Sequence, residues 1–162
     1  MKTLLSAVLL SLLAGCGLVA AANDQPVSIS LERTGCYGSC PSYLVTLRAD
    51  GTVTFEGREH VESKGQFQKK IDPAKLAPLF AKVEAIHFWD LKDRYVEKVN
   101  ADGTVMRITD LPTRYTEVKY STRAKRIKNY FDGPAGLDEL EKLIDEVAGV
   151  SAWIGKAGQK IN

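Results

Sequence analysis

The stretch that decides the fold is Arg33 to Tyr43, RTGCYGSCPSY, in which Cys36 and Cys40 stand four apart among Gly35, Gly38 and Pro41. Four residues of extended chain cover roughly 13 Å, about twice the Cα separation a disulfide can bridge. The two sulfurs therefore meet only if Tyr37, Gly38 and Ser39 turn tightly. Gly35 and Gly38 supply backbone freedom for such a turn, and Pro41 gives up no donor where the chain becomes extended again. Three readings of the pair stay open: a structural bridge, a redox-active or metal-binding dithiol, and two free thiols. A bridge closing so small a ring would stabilise the fold by only about 2 kcal/mol, so its role would be to fix the shape of one loop.

On either side of this loop the chain alternates. Val27, Ile29 and Leu31 alternate with Ser28, Ser30 and Glu32, and Tyr43, Val45 and Leu47 repeat the period of two that marks a half-buried strand. Asp50-Gly51 is a hairpin turn leading into Val53 and Phe55. The cysteine loop is thus expected at a strand end, on the rim of an antiparallel sheet. Gly57 to Ile71 reads as a further irregular strand with a turn near Lys64-Gly65. Tyr115–Tyr120 and Lys125–Phe131 read as another strand pair, with Val118, Tyr120, Ile127 and Phe131 facing inward.

Two helices follow strand pairs. Asp72-Pro73 supplies a capping carboxylate and a first-turn proline, and Leu76, Leu79, Phe80 and Val83 share a face, although Pro78 should kink or delay that helix. Gly133-Pro134 opens the second, with Leu137, Leu140, Leu143, Ile144 and Val147 at helical spacing, followed by Trp153. Between them Ile86–Leu91 reads as an apolar plug holding His87, Phe88 and Trp89, and residues 92–108 as a long loop or weak hairpin turning at Asp102-Gly103. The expected class is α+β, a two-layer sandwich with a mainly antiparallel sheet and two principal helices on one face. PAxLxxL occurs at both helix starts, which suggests two related strand-strand-helix units and is equally explained by shared helix-start chemistry.

Length and charge bound the function. The 162 residues, 44% hydrophobic and 26% charged, suffice for one domain with its own core. A formal charge of +2 calls for neither nucleic acid nor an acidic surface. Lys2 followed by the apolar run Leu4–Leu13 has the pattern of a secretory signal and is too short to span a bilayer. The run ends in Leu13-Ala14-Gly15-Cys16, which resembles the lipobox of bacterial lipoproteins, with Ala20-Ala21-Ala22 an alternative site for ordinary cleavage. The resemblance implies cleavage before Cys16 and its acylation, palmitate included, and Gly17 resembles the signal that sends lipoproteins to the outer membrane. The expected organisation is a signal peptide at 1–15, a lipidated cysteine and tether at 16–26, one domain at 27–154 and a flexible tail at 155–162. Once Cys16 is lipidated or removed, Cys36 and Cys40 are the remaining pair in an oxidising compartment, which favours the bridge.

RTGCYGSCPSY, DGTVTFEG, Thr109-Asp110-Leu111-Pro112-Thr113 and Asn129-Tyr130-Phe131-Asp132-Gly133-Pro134, in that order, resemble a bacterial domain-of-unknown-function family of exported proteins and lipoproteins. The resemblance spans about Val27 to Trp153, with residues 96–108 longer than the family pattern, and it implies a domain without a mechanism. Catalytic constellations are poor: no nucleophile elbow, phosphate loop, zinc-protease helix or paired cysteine-pair motif occurs. Asp90 with Asp93, or Asp110 with Asp132, read as turn residues rather than paired catalytic carboxylates, and the basic run Arg123–Lys128 as a solvated hairpin facing an acidic helix. The expectation is a non-enzymatic, periplasm-facing envelope module without cofactors, contacting an unknown envelope protein or ligand through a loop of Arg33, Thr34, Tyr37, Ser39 and Tyr43. CxxxCP is also similar to the copper motif of Sco-type cytochrome oxidase assembly proteins. The alternative function is therefore thiol redox or copper handling by Cys36 and Cys40, with His60 as a further metal ligand.

Overall fold

The computed structural model describes residues 24–155; the leader, Cys16 and the last seven residues lie outside them. Four strands come first: β1 (Pro26–Arg33), β2 (Ser42–Arg48), β3 (Thr52–Glu59) and β4 (Gly65–Lys70). A 3₁₀ turn at Pro73–Leu76 feeds helix α1 (Ala77–Ala85), and a second at Phe88–Asp90 leads into the two-residue strand β5 (Arg94–Tyr95). Then come β6 (Lys98–Val99), β7 (Val105–Met106), β8 (Arg114–Tyr120), β9 (Ala124–Asn129), α2 (Ala135–Ala148) and α3 (Ser151–Ile154). Seven strands form one sheet in the order β4-β3-β2-β1-β8-β9-β5, antiparallel except for the β5–β9 pair, while β6 and β7 form a separate hairpin. Among the described residues no helix is long and apolar enough to cross a membrane.

The register follows from the turns. Gly51, at φ 78°, donates its N–H to Arg48 O at 2.9 Å, and Asp50 Oδ1 accepts the Thr52 N–H, so Leu47 stands opposite Val53 and Val45 opposite Phe55. That pairing puts every inward residue of β2 and β3 on the face the helices cover. There Leu79, Val83, Leu137, Leu140 and Ile144 bury against Ile29, Leu31, Val45, Leu47 and Ile127, each such side chain contributing about 1.5–3 kcal/mol by leaving water. The architecture is the expected two-layer α+β sandwich, with its second face uncovered.

Pro78 delays α1 rather than kinking it: Asp72 caps the 3₁₀ turn through the Ala74 N–H at 2.9 Å, and the α-helix starts at Ala77 with the proline in its first turn, where no donor is lost. Four details differ from the sequence reading. Val118 and Ile127 are buried, but Tyr120 and Phe131 are only half-buried, and Thr116 and Asn129 take the inner positions beside them. His87 is exposed in the left-handed region at φ 51° while Phe88 fills the core. Residues 24 and 25 belong to the domain rather than the tether: Gln25 exchanges hydrogen bonds with Ser121, and Asp24 holds Thr122 and Arg123. The basic run does not face the acids of α2, since Arg123 pairs with Asp24, Arg126 with Glu32, and Lys125 binds the carbonyls of Trp89 and Leu91. At both PAxLxxL starts the two leucines are buried, as helix packing alone requires.

Candidate functional site

β1 and β9 end, and β2 and β8 begin, at the same end of the sheet, so residues 34–41, 96–113 and 130–134 collect on one rim. Hydrogen bonds tie them together. Thr34 N–H donates to Thr113 O and Thr34 Oγ1 accepts the Thr113 N–H, both at 2.9 Å. The Leu111 N–H donates to Tyr130 Oη at 3.3 Å, and Lys98 Nζ lies 3.8 Å from Asp132 Oδ1. Cys36 and Cys40 are joined by a disulfide with their Cα atoms 5.6 Å apart. This closed ring lifts Tyr37 to the tip of the loop, where it is 93% exposed.

Under the rim lies a polar network between sheet and α2. Arg33 donates through Nε and Nη2 to Asp145 Oδ2 at 3.0 and 2.8 Å, and the Tyr43 hydroxyl donates to Asp145 Oδ1 at 2.9 Å. One turn earlier on α2, Glu141 Oε1 accepts from Thr116 Oγ1 and Asn129 Nδ2, each at 3.1 Å. Glu141 Oε2 sits 2.5 Å from Arg114 Nε, an ionic contact without the alignment of a good hydrogen bond, and Arg114 Nη2 reaches Asp138 Oδ1 at 2.6 Å. Burial pushes the Glu141 and Asp145 carboxyls above their ordinary values, against the pull of Arg114 on the first and Arg33 on the second. Burial also pushes the Tyr43 phenol up, so it stays a donor.

Two of the five loop residues expected to contact a partner are corrected by this network. Arg33 and Tyr43 turn inward because they continue the inward phase of β1 and β2, and Tyr43 is only 2% exposed. Thr34, Tyr37 and Ser39 remain on the rim, Thr34 with its hydroxyl engaged by Thr113. His60 is exposed just past β3 at φ 51°, and the sulfurs of Cys36 and Cys40 are bonded to each other rather than free to ligate. Among the described residues no three His, Cys, Asp or Glu side chains gather so as to hold a metal ion.

Sequence reading missed Glu141, Arg114 and Asn129. The signal was there in their phase: Arg33 and Arg114 fall in register with the inward residues of their strands, and Asp138, Glu141 and Asp145 share a helical side with Leu137 and Ile144. It also missed the apolar part of the rim. Val99, Val105 and Met106 of the β6–β7 hairpin and Ile108 and Leu111 beyond it are exposed, Val99 by 64%.

Residues 27–148 match the family described as Domain of unknown function (DUF6438). The chain belongs to that family. No curated protein and no solved structure matches it. The DUF6438 match runs from β1 to the last turn of α2 and so takes in both the rim and the network beneath it.

Proposed function

We propose that this chain is an exported, lipid-anchored envelope protein that docks another envelope component on its rim and carries out no catalytic step. The observation that carries the reading is the distribution of apolar surface. Eight large hydrophobic side chains are exposed among the described residues, and six of them, Tyr37, Val99, Val105, Met106, Ile108 and Leu111, belong to rim segments. Exposed apolar side chains gathered in the segments at one end of a domain are a mark of an interaction site. Tyr37, an aromatic on a covalently closed loop, is the kind of residue that loses little entropy on binding and anchors interfaces.

Direction supports the same reading. Eight residues of β1 separate Pro26 from Arg33, about 25 Å of strand, so the tether meets the domain at the end away from the rim. Anchoring at Cys16 would leave the rim pointing off the membrane toward a partner. The test places a photocrosslinking residue at position 37, 99 or 119 of the full-length protein in native envelopes, followed by mass spectrometry that also reads position 16. Adducts from 37 and 99 but not from 119, at the tether end of β8, with acylated Cys16, are expected. Equal adducts from all three, none at all, or unmodified Cys16 in the cytosolic fraction would overturn the proposal.

A further inference from the structure

The two edges of the main sheet are treated differently. On one side β5 runs along β9, and the carbonyls of Asp93 and Tyr95 take the N–H groups of Lys128 and Tyr130. On the other side β4 closes the sheet, and among the described residues nothing pairs with its outer flank. Alternate residues of such a strand turn their N–H and C=O groups outward, a ready template for a further strand. We infer that the free edge of β4 accepts an extended acidic polypeptide segment as an added strand.

Charge selects the occupant. From Lys64 to Lys75 the chain carries Lys64, Lys69, Lys70 and Lys75 and a single acid, Asp72, whose carboxylate is occupied in capping Ala74. Lys70 is held by Asp50 at 2.8 Å and Lys69 lies 4.4 Å from the Trp153 ring centroid, while Lys64 and Lys75 are exposed. A second copy of this chain pairing antiparallel through the same edge would set Lys70 of one copy beside Lys64 of the other at each end of the ladder, like charges that disfavour edge-to-edge self-association. An acidic strand meets the same charges as attraction.

Shape supplies a seat for its side chains. A hollow of about 420 Å³ opens on the face that no helix covers, between the cross-strand row Leu44, Glu56, Gln66 and the row Thr54, Gln68. It reaches the β4 edge, so side chains of an added strand that point to this face have a place to lie. On the opposite face Phe67, 39% exposed, offers an apolar neighbour to the alternate side chains. Main-chain bonds plus pockets for alternate residues are the general means of binding by strand addition.

The probe is a fluorescein-labelled peptide alternating glutamate with valine, titrated into the folded protein and read by anisotropy and by backbone amide exchange. Binding with slowed exchange in Gln66–Gln68 is expected, together with its loss near 1 M salt, where the Debye length is about 3 Å. The Lys64→Glu/Lys75→Glu variant, altered at two exposed sites, should bind about tenfold more weakly. A peptide N-methylated at every residue should not bind, because neither of its edges then has a main-chain donor. No binding of the parent peptide, equal binding of the N-methylated one, unchanged exchange in β4, or self-association through β4 would each overturn the inference. None of these readouts involves the rim, so a failure here and a failure of the docking proposal are separate results.

Discussion

Replacing Glu141 by leucine is the sharpest probe of the network under the rim. Glu141 is 1% exposed, and its carboxylate accepts from Thr116 and Asn129 and pairs with Arg114. The variant keeps the volume but strips an acceptor from two buried donors and one counter-charge from a guanidinium. Breaking a buried pair from one side costs about 3–5 kcal/mol. Arg114 keeps Asp138 at 2.6 Å and is partly open to solvent, which places the expected loss at the lower end, about 3 kcal/mol. With a urea slope of about 1.5 kcal/mol/M for a domain of this size, the unfolding midpoint should fall by about 2 M. Adding Arg114→Met removes the stranded charge, so the double variant should recover part of that loss. A midpoint shift below about 0.5 M for Glu141→Leu, or a double variant weaker than the sum of the singles, would refute this account of the network.

Four further outcomes are expected. The difference in stability between the parent chain and Glu141→Gln should shrink as pH rises: a carboxyl raised by burial contributes stability below its unfolded value of 4.5 and loses it as pH climbs through the folded one, so a difference that grows with pH in urea titrations would contradict the direction. Gly57→Ala should destabilise by at least about 2 kcal/mol in the same assay, because the new Cβ would lie 1.9 Å from the backbone oxygen of Ser63, and a neutral result would mean that the β3–β4 connection yields. Cys36→Ser/Cys40→Ser should cost about 2 kcal/mol, and the native bridge should resist glutathione in a thiol titration; a readily reduced pair that binds Cu(I) would favour the redox or copper-handling role instead. Tyr37→Ala should move stability by less than about 0.5 kcal/mol while abolishing rim crosslinks, and crosslinks that survive it would remove Tyr37 from the docking surface.

What the sequence made legible was whatever depends on local period and turn chemistry. Ile29, Leu31, Val45 and Leu47 alternate cleanly because one face of their strands is covered and the other is not, and Asp50-Gly51 fixes the register that joins them. The Pro78 delay was legible because a missing donor has one place to go. Burial of charge was not. Arg33, Arg114 and Glu141 look like surface residues one at a time, and only contacts between distant positions, 102 or more apart for the Asp145 pairs, bury Glu141 and half-bury the two arginines. Phe131 was misjudged for a related reason: its alternation continues that of Ile127 and Asn129, but β9 ends at Asn129 and the chain turns at Asp132, with φ 62°, before α2.

The same division sorts the residues of the segments RTGCYGSCPSY, DGTVTFEG and NYFDGP. Arg33 and Tyr43 in the first segment, Gly57 in the second and Asn129 and Gly133 in the last all face inward or permit close approach, Gly133 because a Cβ there would lie 2.3 Å from Asn129 Oδ1. They build and brace the rim, and changing them should report on folding before anything else. Tyr37, Leu111 and the β6–β7 hairpin stand outside that frame, exposed and on no strand of the seven-stranded sheet. A loss of partner binding at those positions with stability intact would locate function on the surface, whereas the same loss at Arg33 or Asn129 would only show that the platform had failed.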